Sequence, residues 1–175
     1  MSDKEMPISP EPKPKADQDN SIAILECKLS TMEHIESVRS DILWFIYKLI
    51  NRGAKHDRSK LRSPEVELFA RDNYKLQSLE YGTPEYVANL SELSDALGEH
   101  YAKNRHHPEH FSNGINGMTL VDVIEMFCDW RASTSRNKKG NLLRSIDTNV
   151  GRFHIDEQLK QIFVNTANMI DDSDD

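Results

Sequence analysis

Residues 21–53 read SIAILECKLSTMEHIESVRSDILWFIYKLINRG, and their apolar members decide the fold class. Leu25, Leu29, Met32, Ile35, Val38, Ile42, Phe45, Ile46 and Leu49 recur at spacings of three and four, the period of one face of an α-helix. Gly53 supplies the stop. Outward from this helix the same reading continues. A short helix is expected over His56 to Leu61, and Ser63-Pro64-Glu65 sets a cap and a first-turn proline for a helix to about Leu79. Thr83-Pro84-Glu85 repeats the signal ahead of Val87, Leu90, Leu93 and Leu97. Gly114 and Gly117 break the chain before Thr119-Leu120-Val121-Asp122, a capping-box start for a helix to about Arg131. A basic loop, Ser133 to Asn141, precedes closing helices near Leu142 to Thr148 and Glu157 to Ile170. No stretch alternates like a strand and no internal repeat is present, so the chain is expected to be all-α.

The chain of 175 residues is one domain's worth, enough for a real core. Residues 1–20, with Pro7, Pro10, Pro12 and Pro14 among Glu and Lys, read as a disordered arm, and residues 21–172 as the helical domain. Its net charge of −7, from 29 acidic against 22 basic residues, speaks against a sequence-independent grip on nucleic acid. Cys27 and Cys128 have no CxxC partner and read as small buried hydrophobes of a reducing cytoplasm. No apolar run reaches membrane-spanning length, so no membrane partner and a cytoplasmic location are expected. A homo-oligomer is compatible with all of this.

The chemistry-bearing residues are unevenly placed. Five of the seven histidines are His56 and the cluster His100, His106, His107 and His110. His34 stands on the first helix, and the acidic pair Glu125 and Asp129 stands on a later one. Imidazoles and carboxylates spread over several helices suit a metal site in a bundle, because one helix face supplies only one or two donors. Each residue also has a plainer reading. His34, at the edge of the apolar stripe, could be a satisfied core histidine. His56-Asp57 could be a turn of a charged helix, although adjacent residues diverge by about 100° and reach one ion only from a distorted turn. His100 extends the stripe of Leu90, Leu93 and Leu97 and should point inward. Pro108 leaves His106, His107 and His110 at a helix end and loop. Asp122 reads as the capping acid, and Asp129, between Cys128 and Trp130, as the better ligand. Glu125 is open to three roles: ligand, support for a ligand, or general base. Lys60, one turn past His56, is either solvated or a phosphate contact.

The ordered set His34, His56-Asp57, the later histidines and Asp129 resembles the HD superfamily of metal-dependent phosphohydrolases, and the extra histidines resemble its dinuclear branch. His56-Asp57-Arg58-Ser59-Lys60 resembles the HDxGK signature of the HD-GYP group, with Ser59 in place of Gly. His106-His107 followed by Asn113-Gly114 is faintly similar to that group's HHE…DG stretch, but no GYP sequence follows. HDRSK, HHPEH (106–110) and EMFCDW (125–130) together are similar to small bacterial and phage proteins with HDxSK, HHxxH and EMxxDW motifs.

The resemblance implies an HD-like helical bundle around one or two divalent transition metals (Mn, Fe, Co, Ni or Zn). His34, His56, Asp57 and Asp129 would hold the first metal, with Asp57 bridging. His100 and His107 would complete a second site, with His106 or His110 as replacements. The metal would activate a water for in-line attack on phosphorus. Lys60 and Glu125 are the expected catalytic residues, and Arg58, Arg105, Arg131 and the basic loop the expected phosphate contacts. The expected partner is a small phosphorylated substrate such as a nucleotide. The His100-to-His107 spacing is shorter than in typical dinuclear members. Two other readings use the same residues: an HD-type di-iron oxygenase and a non-catalytic, metal-stabilised binding module.

Overall fold

The computed structural model describes residues 15–70, 79, 82–87, 94–136 and 140–171. Among them there is no strand, and the fold is all-α. Helix α1 runs without a break over Lys15–Lys55, so it takes in residues 15–20 of the segment expected to be an arm. The rest of that arm lies outside the described residues. A short helix was expected over His56 to Leu61, and a 3-10 helix covers Arg58–Leu61; residues 65–70 are helical. Thr83 Oγ1 accepts from the Tyr86 N–H at 3.3 Å and starts a turn of helix at 84–87. Residues 71–78 and 88–93, which include the later part of the helix expected to about Leu79 and the expected positions Leu90 and Leu93, lie outside the described residues. Helices α2 (Ser94–Lys103), α3 (Leu120–Ser135), α4 (Leu142–Phe153) and α5 (Glu157–Asp171) follow. None of the described helices is long and apolar enough to cross a membrane.

The chain divides into two units, Met1–Ile46 and Tyr47–Asp175. The first is the leading part of α1. Its apolar stripe, read from the sequence as a core-facing surface, is exposed from Ile22 to Ile46.

The second unit has a core of Met126, Phe127 and Trp130 from α3, Ile146 from α4, Ile155 from the α4–α5 link, and Phe163 and Ala167 from α5. The Phe127 and Phe163 rings stack at 5.6 Å, and Trp130 meets Phe163 edge-on at 5.4 Å. Burying each such ring stabilises the unit by about 1.5–3 kcal/mol. Local chemistry fixes the helix ends. The expected capping box at Thr119 is present: Thr119 Oγ1 accepts from the Asp122 N–H, and Asp122 Oδ2 accepts from the Thr119 N–H at 2.9 Å. Asn141 Oδ1 accepts from the Arg144 N–H at 2.8 Å and opens α4. That helix continues past Thr148 because Val150 and Phe153 pack on the core, and it ends at His154 in the left-handed conformation. Gly117, one of the two expected breakers, lies so close to Phe111 and Asn113 that a Cβ would collide with both.

Candidate metal centre

All the converging donors belong to the second unit. His56 follows the last residue of α1, and Asp57 comes next in the left-handed region at φ 53°. A non-glycine residue there is uncommon and carries a backbone cost. This twist resolves the geometric objection to neighbouring ligands, since it turns two adjacent side chains into one cavity. α2 contributes His100, the stretch after it His106 and His107, and α3 Glu125 and Asp129. His100 and His106 are each only 1% exposed.

Two groups of donors stand close enough to hold a metal ion: Asp57, His100, His106 and His107, and His56, His106 and Asp129. Asp57 Oδ1 lies 3.3 Å from His100 Nε2 and 3.5 Å from His106 Nε2. Its other oxygen lies 3.6 Å from His56 Nε2, which is also 3.6 Å from Asp129 Oδ1. His100 Nε2 and His107 Nε2 are 2.9 Å apart. Donors about 2.1 Å from a shared ion at 90–110° to one another stand roughly 3.0–3.4 Å apart, close to this set of distances. Asp57 Oδ1 and His106 Nε2 are both buried without a hydrogen-bond partner. Orphaned buried polar atoms are costly and call for an explanation. A cation between them supplies one, so the residues present fit a metal.

The outer contacts point the same way. Glu125 Oε1 lies 3.0 Å from His56 Nδ1 and 3.3 Å from His106 Nδ1. Glu65, 1% exposed, sets its Oε2 3.0 Å from His100 Nδ1. Three imidazoles thus have one nitrogen held by a carboxylate and the other turned into the cavity, the arrangement that fixes the tautomer of a metal-binding histidine. Arg52 anchors the first carboxylate: its Nε donates to Glu125 Oε2 at 2.6 Å and its Nη1 to Asp122 Oδ1 at 2.8 Å. Ser59 Oγ donates to Glu65 at 2.8 Å, and Asn104 Nδ2 donates to Ser59 Oγ at 2.9 Å.

Electrostatics follows from this crowding. His56 is pushed up to about 10, first by its hydrogen bond to Asp129 and then by that to Glu125, against the opposing effect of burial. Burial pushes Asp57 up, but His100, Lys60 and His56 outweigh it and hold the carboxyl well below its usual range. His107 falls to about 3 through burial and the neighbouring His106 and His100. Burial likewise raises Glu125, yet His106, His56 and Arg52 bring it to about 2.

Of the expected metal ligands, His56, Asp57, His100, His107 and Asp129 fall into the two groups, and His34 falls into neither. His34 is exposed on α1 in the first unit, whereas the donors of both groups belong to the second. His106, expected only as a replacement, is the residue common to both groups. His110 instead sets Nδ1 2.9 Å from the Tyr101 carbonyl. Glu125 serves the imidazoles rather than either metal group. Lys60 Nζ lies 2.7 Å from Asp57 Oδ2, beside the cavity as expected. Arg105 is engaged by Asp122, at 3.2 and 3.0 Å, and lies over the Phe111 ring. Arg58 and Arg131 are exposed. Of the basic loop, Arg136 is exposed and Lys138 and Lys139 lie outside the described residues. Sequence reading missed Arg52, Ser59, Glu65 and Asn104. Glu65 was read only as part of the Ser63-Pro64-Glu65 helix start, and nothing local marks it as the partner of a histidine 35 positions away. Cys27 and Cys128 were expected to be buried and are exposed, since both sit on helix faces that the core does not cover.

Residues 23–171 match a family of unknown function, DUF5662, and the chain belongs to that family. No curated protein and no solved structure matches it.

Proposed function

We propose that the chain is a metal-dependent phosphohydrolase acting on a nucleotide or a similar small phosphate ester. The observation that carries this reading is the cavity in which His56, His100 and His106 turn their Nε2 atoms toward Asp57, each imidazole backed by a buried carboxylate. Asp57, His100, His106 and His107 would hold one divalent transition metal, and His56 and Asp129, with the second Asp57 oxygen nearby, would hold another; His106, whose Nδ1 faces Glu125, has one Nε2 lone pair and would serve one ion at a time. Nitrogen and oxygen donors without thiolate suit Mn, Fe, Co, Ni or Zn. Such a metal, when bound, supplies Lewis-acid activation of water and neutralises charge on phosphorus. Lys60 carries the remaining positive charge toward the cavity edge, where it would bind a phosphate oxygen and stabilise the charge that builds up in the transition state. Glu125 and Glu65 hold the imidazoles in the tautomer the donors need.

The test is turnover with a panel of nucleoside mono- and triphosphates and cyclic nucleotides, each with and without chelator. Lys60→Ala should keep metal content and helicity and lower kcat/KM by about 100-fold or more, the size of one lost electrostatic stabiliser. Phosphate release must persist without oxygen, which separates hydrolysis from an oxygenase with similar donors. No metal-dependent turnover across the panel would refute the reading and favour a binding module.

A further inference from the structure

The donors around Asp57 fall into two sites that differ in burial and in charge balance. Asp57 Oδ1 and His106 Nε2 are the two buried side-chain atoms without a hydrogen-bond partner among the described residues, and they stand 3.5 Å apart. One cation between them satisfies both. His100 Nε2 lies 3.3 Å from the same oxygen, and His107 Nε2 lies 2.9 Å from His100 Nε2. The side chains of His100 and His106 are 1% and 2% exposed. An ion in this group has four protein donors, the number that closes a structural site.

The other oxygen of Asp57 is placed differently. Lys60 Nζ stands 2.7 Å from Oδ2, so this oxygen has a cationic partner of its own. His56 Nε2 lies 3.6 Å from it and 3.6 Å from Asp129 Oδ1. With His106 committed to the buried ion, these three atoms are the donors left, and three protein donors keep a position open for an outside ligand, as in catalytic sites. The side chains of His56 and Asp129 are 28% and 26% exposed. Both line a groove of about 420 Å³ within the second unit, whereas Asp57, His100, His106 and His107 do not. That volume lies in the range of small-molecule sites, about 300–1,000 Å³. Arg52 and Glu125 share the wall and are bonded to each other at 2.6 Å.

We propose that the two ions have separate tasks. The ion among Asp57, His100, His106 and His107 is resident and structural. The ion at His56, Asp129 and Asp57 Oδ2 is exchangeable, and it alone meets the substrate's phosphate, through the groove. This division rests on the metal-site and phosphohydrolase readings above, neither of which assigns the ions different tasks.

The experiment loads the full, metal-free chain with Co(II) one equivalent at a time and follows its visible absorption. The second equivalent should leave in EDTA about 10-fold faster than the first, or more, since even an outer contact is worth that much in affinity. Inorganic phosphate should change the absorption of the fast ion and leave that of the slow one unaltered. His56→Ala should keep the slow ion and lose both the fast one and the phosphate response. His107→Ala should lose the slow ion and lower the melting temperature more than His56→Ala does. Should His107→Ala not fold, the release rates and phosphate response of wild type decide the matter alone. Two ions leaving at one rate, a single ion per chain, or phosphate acting on the slow ion or on neither would overturn the division and leave the metal-site reading standing. A chain that takes up no cobalt would remove both.

Discussion

Glu125→Ala is the most searching test of how the centre is built. One carboxylate oxygen serves two imidazoles, at 3.0 Å from His56 Nδ1 and 3.3 Å from His106 Nδ1, and Arg52 holds the other oxygen at 2.6 Å. Removing one such outer contact typically costs about 10–100-fold in metal affinity. Alanine frees both histidines, so the loss should reach about 100-fold, or roughly 2.8 kcal/mol. Glutamine keeps one carbonyl acceptor and should lose about 10-fold, roughly 1.4 kcal/mol. The number of metals bound at saturation should not change, because no donor has been removed. Metal-free stability should fall by about 1–3 kcal/mol, since Arg52 still has Asp122 at 2.8 Å. Competition against a chromophoric chelator measures the affinities, and thermal melts in chelator measure the stability. Wild-type affinity in both variants would refute the claim that Glu125 orients the ligands. A large fall in kcat at unchanged affinity would return Glu125 to the reacting atoms.

Three further outcomes follow from the same geometry. His56→Ala removes a donor from the group with Asp129 and should lose about one metal per chain, whereas Asp57→Ala, whose two oxygens face His56 and His100, should abolish or sharply reduce copurified metal; both should lower the melting temperature, measured by elemental analysis and calorimetry. His107→Ala removes a donor from only one of the two groups, so about one metal per chain should remain, whereas His106→Ala removes the donor common to both groups and should lower metal affinity more. Asp122 is raised by burial but brought down to about 2 by Arg105, Thr119 and Arg52. Because its folded value lies below the unfolded one, it stabilises the fold above about pH 4 and loses that contribution as pH falls toward 2. Asp122→Asn should therefore be less stable than wild type at neutral pH, with the gap narrowing over that window in acid denaturation followed by circular dichroism.

Much of this protein was readable along the chain. The period of 3.6, the proline and capping signals and the Thr119–Asp122 box depend on neighbours within one or two turns, so they fix helix type and several boundaries locally. The same locality explains why His100 could be turned inward from the stripe of Leu90, Leu93 and Leu97. Histidine and carboxylate identity, with their spacing over separate helices, was enough to expect metal chemistry from His56, Asp57, His107 and Asp129. Other features required contacts between residues far apart in sequence. Glu65 becomes the support of His100, Glu125 the shared support of His56 and His106, and Arg52 the anchor of Glu125 only when three segments meet. The choice of His106 as the common donor over its neighbour His107 depends on the direction of the chain after α2, which no periodicity encodes. The apolar stripe of α1 shows the same division most clearly. Its sequence dictates a helix with one hydrophobic face, because that follows from backbone geometry and side-chain order. Whether that face is buried is decided by the surface that meets it, and that surface is not written in the helix itself.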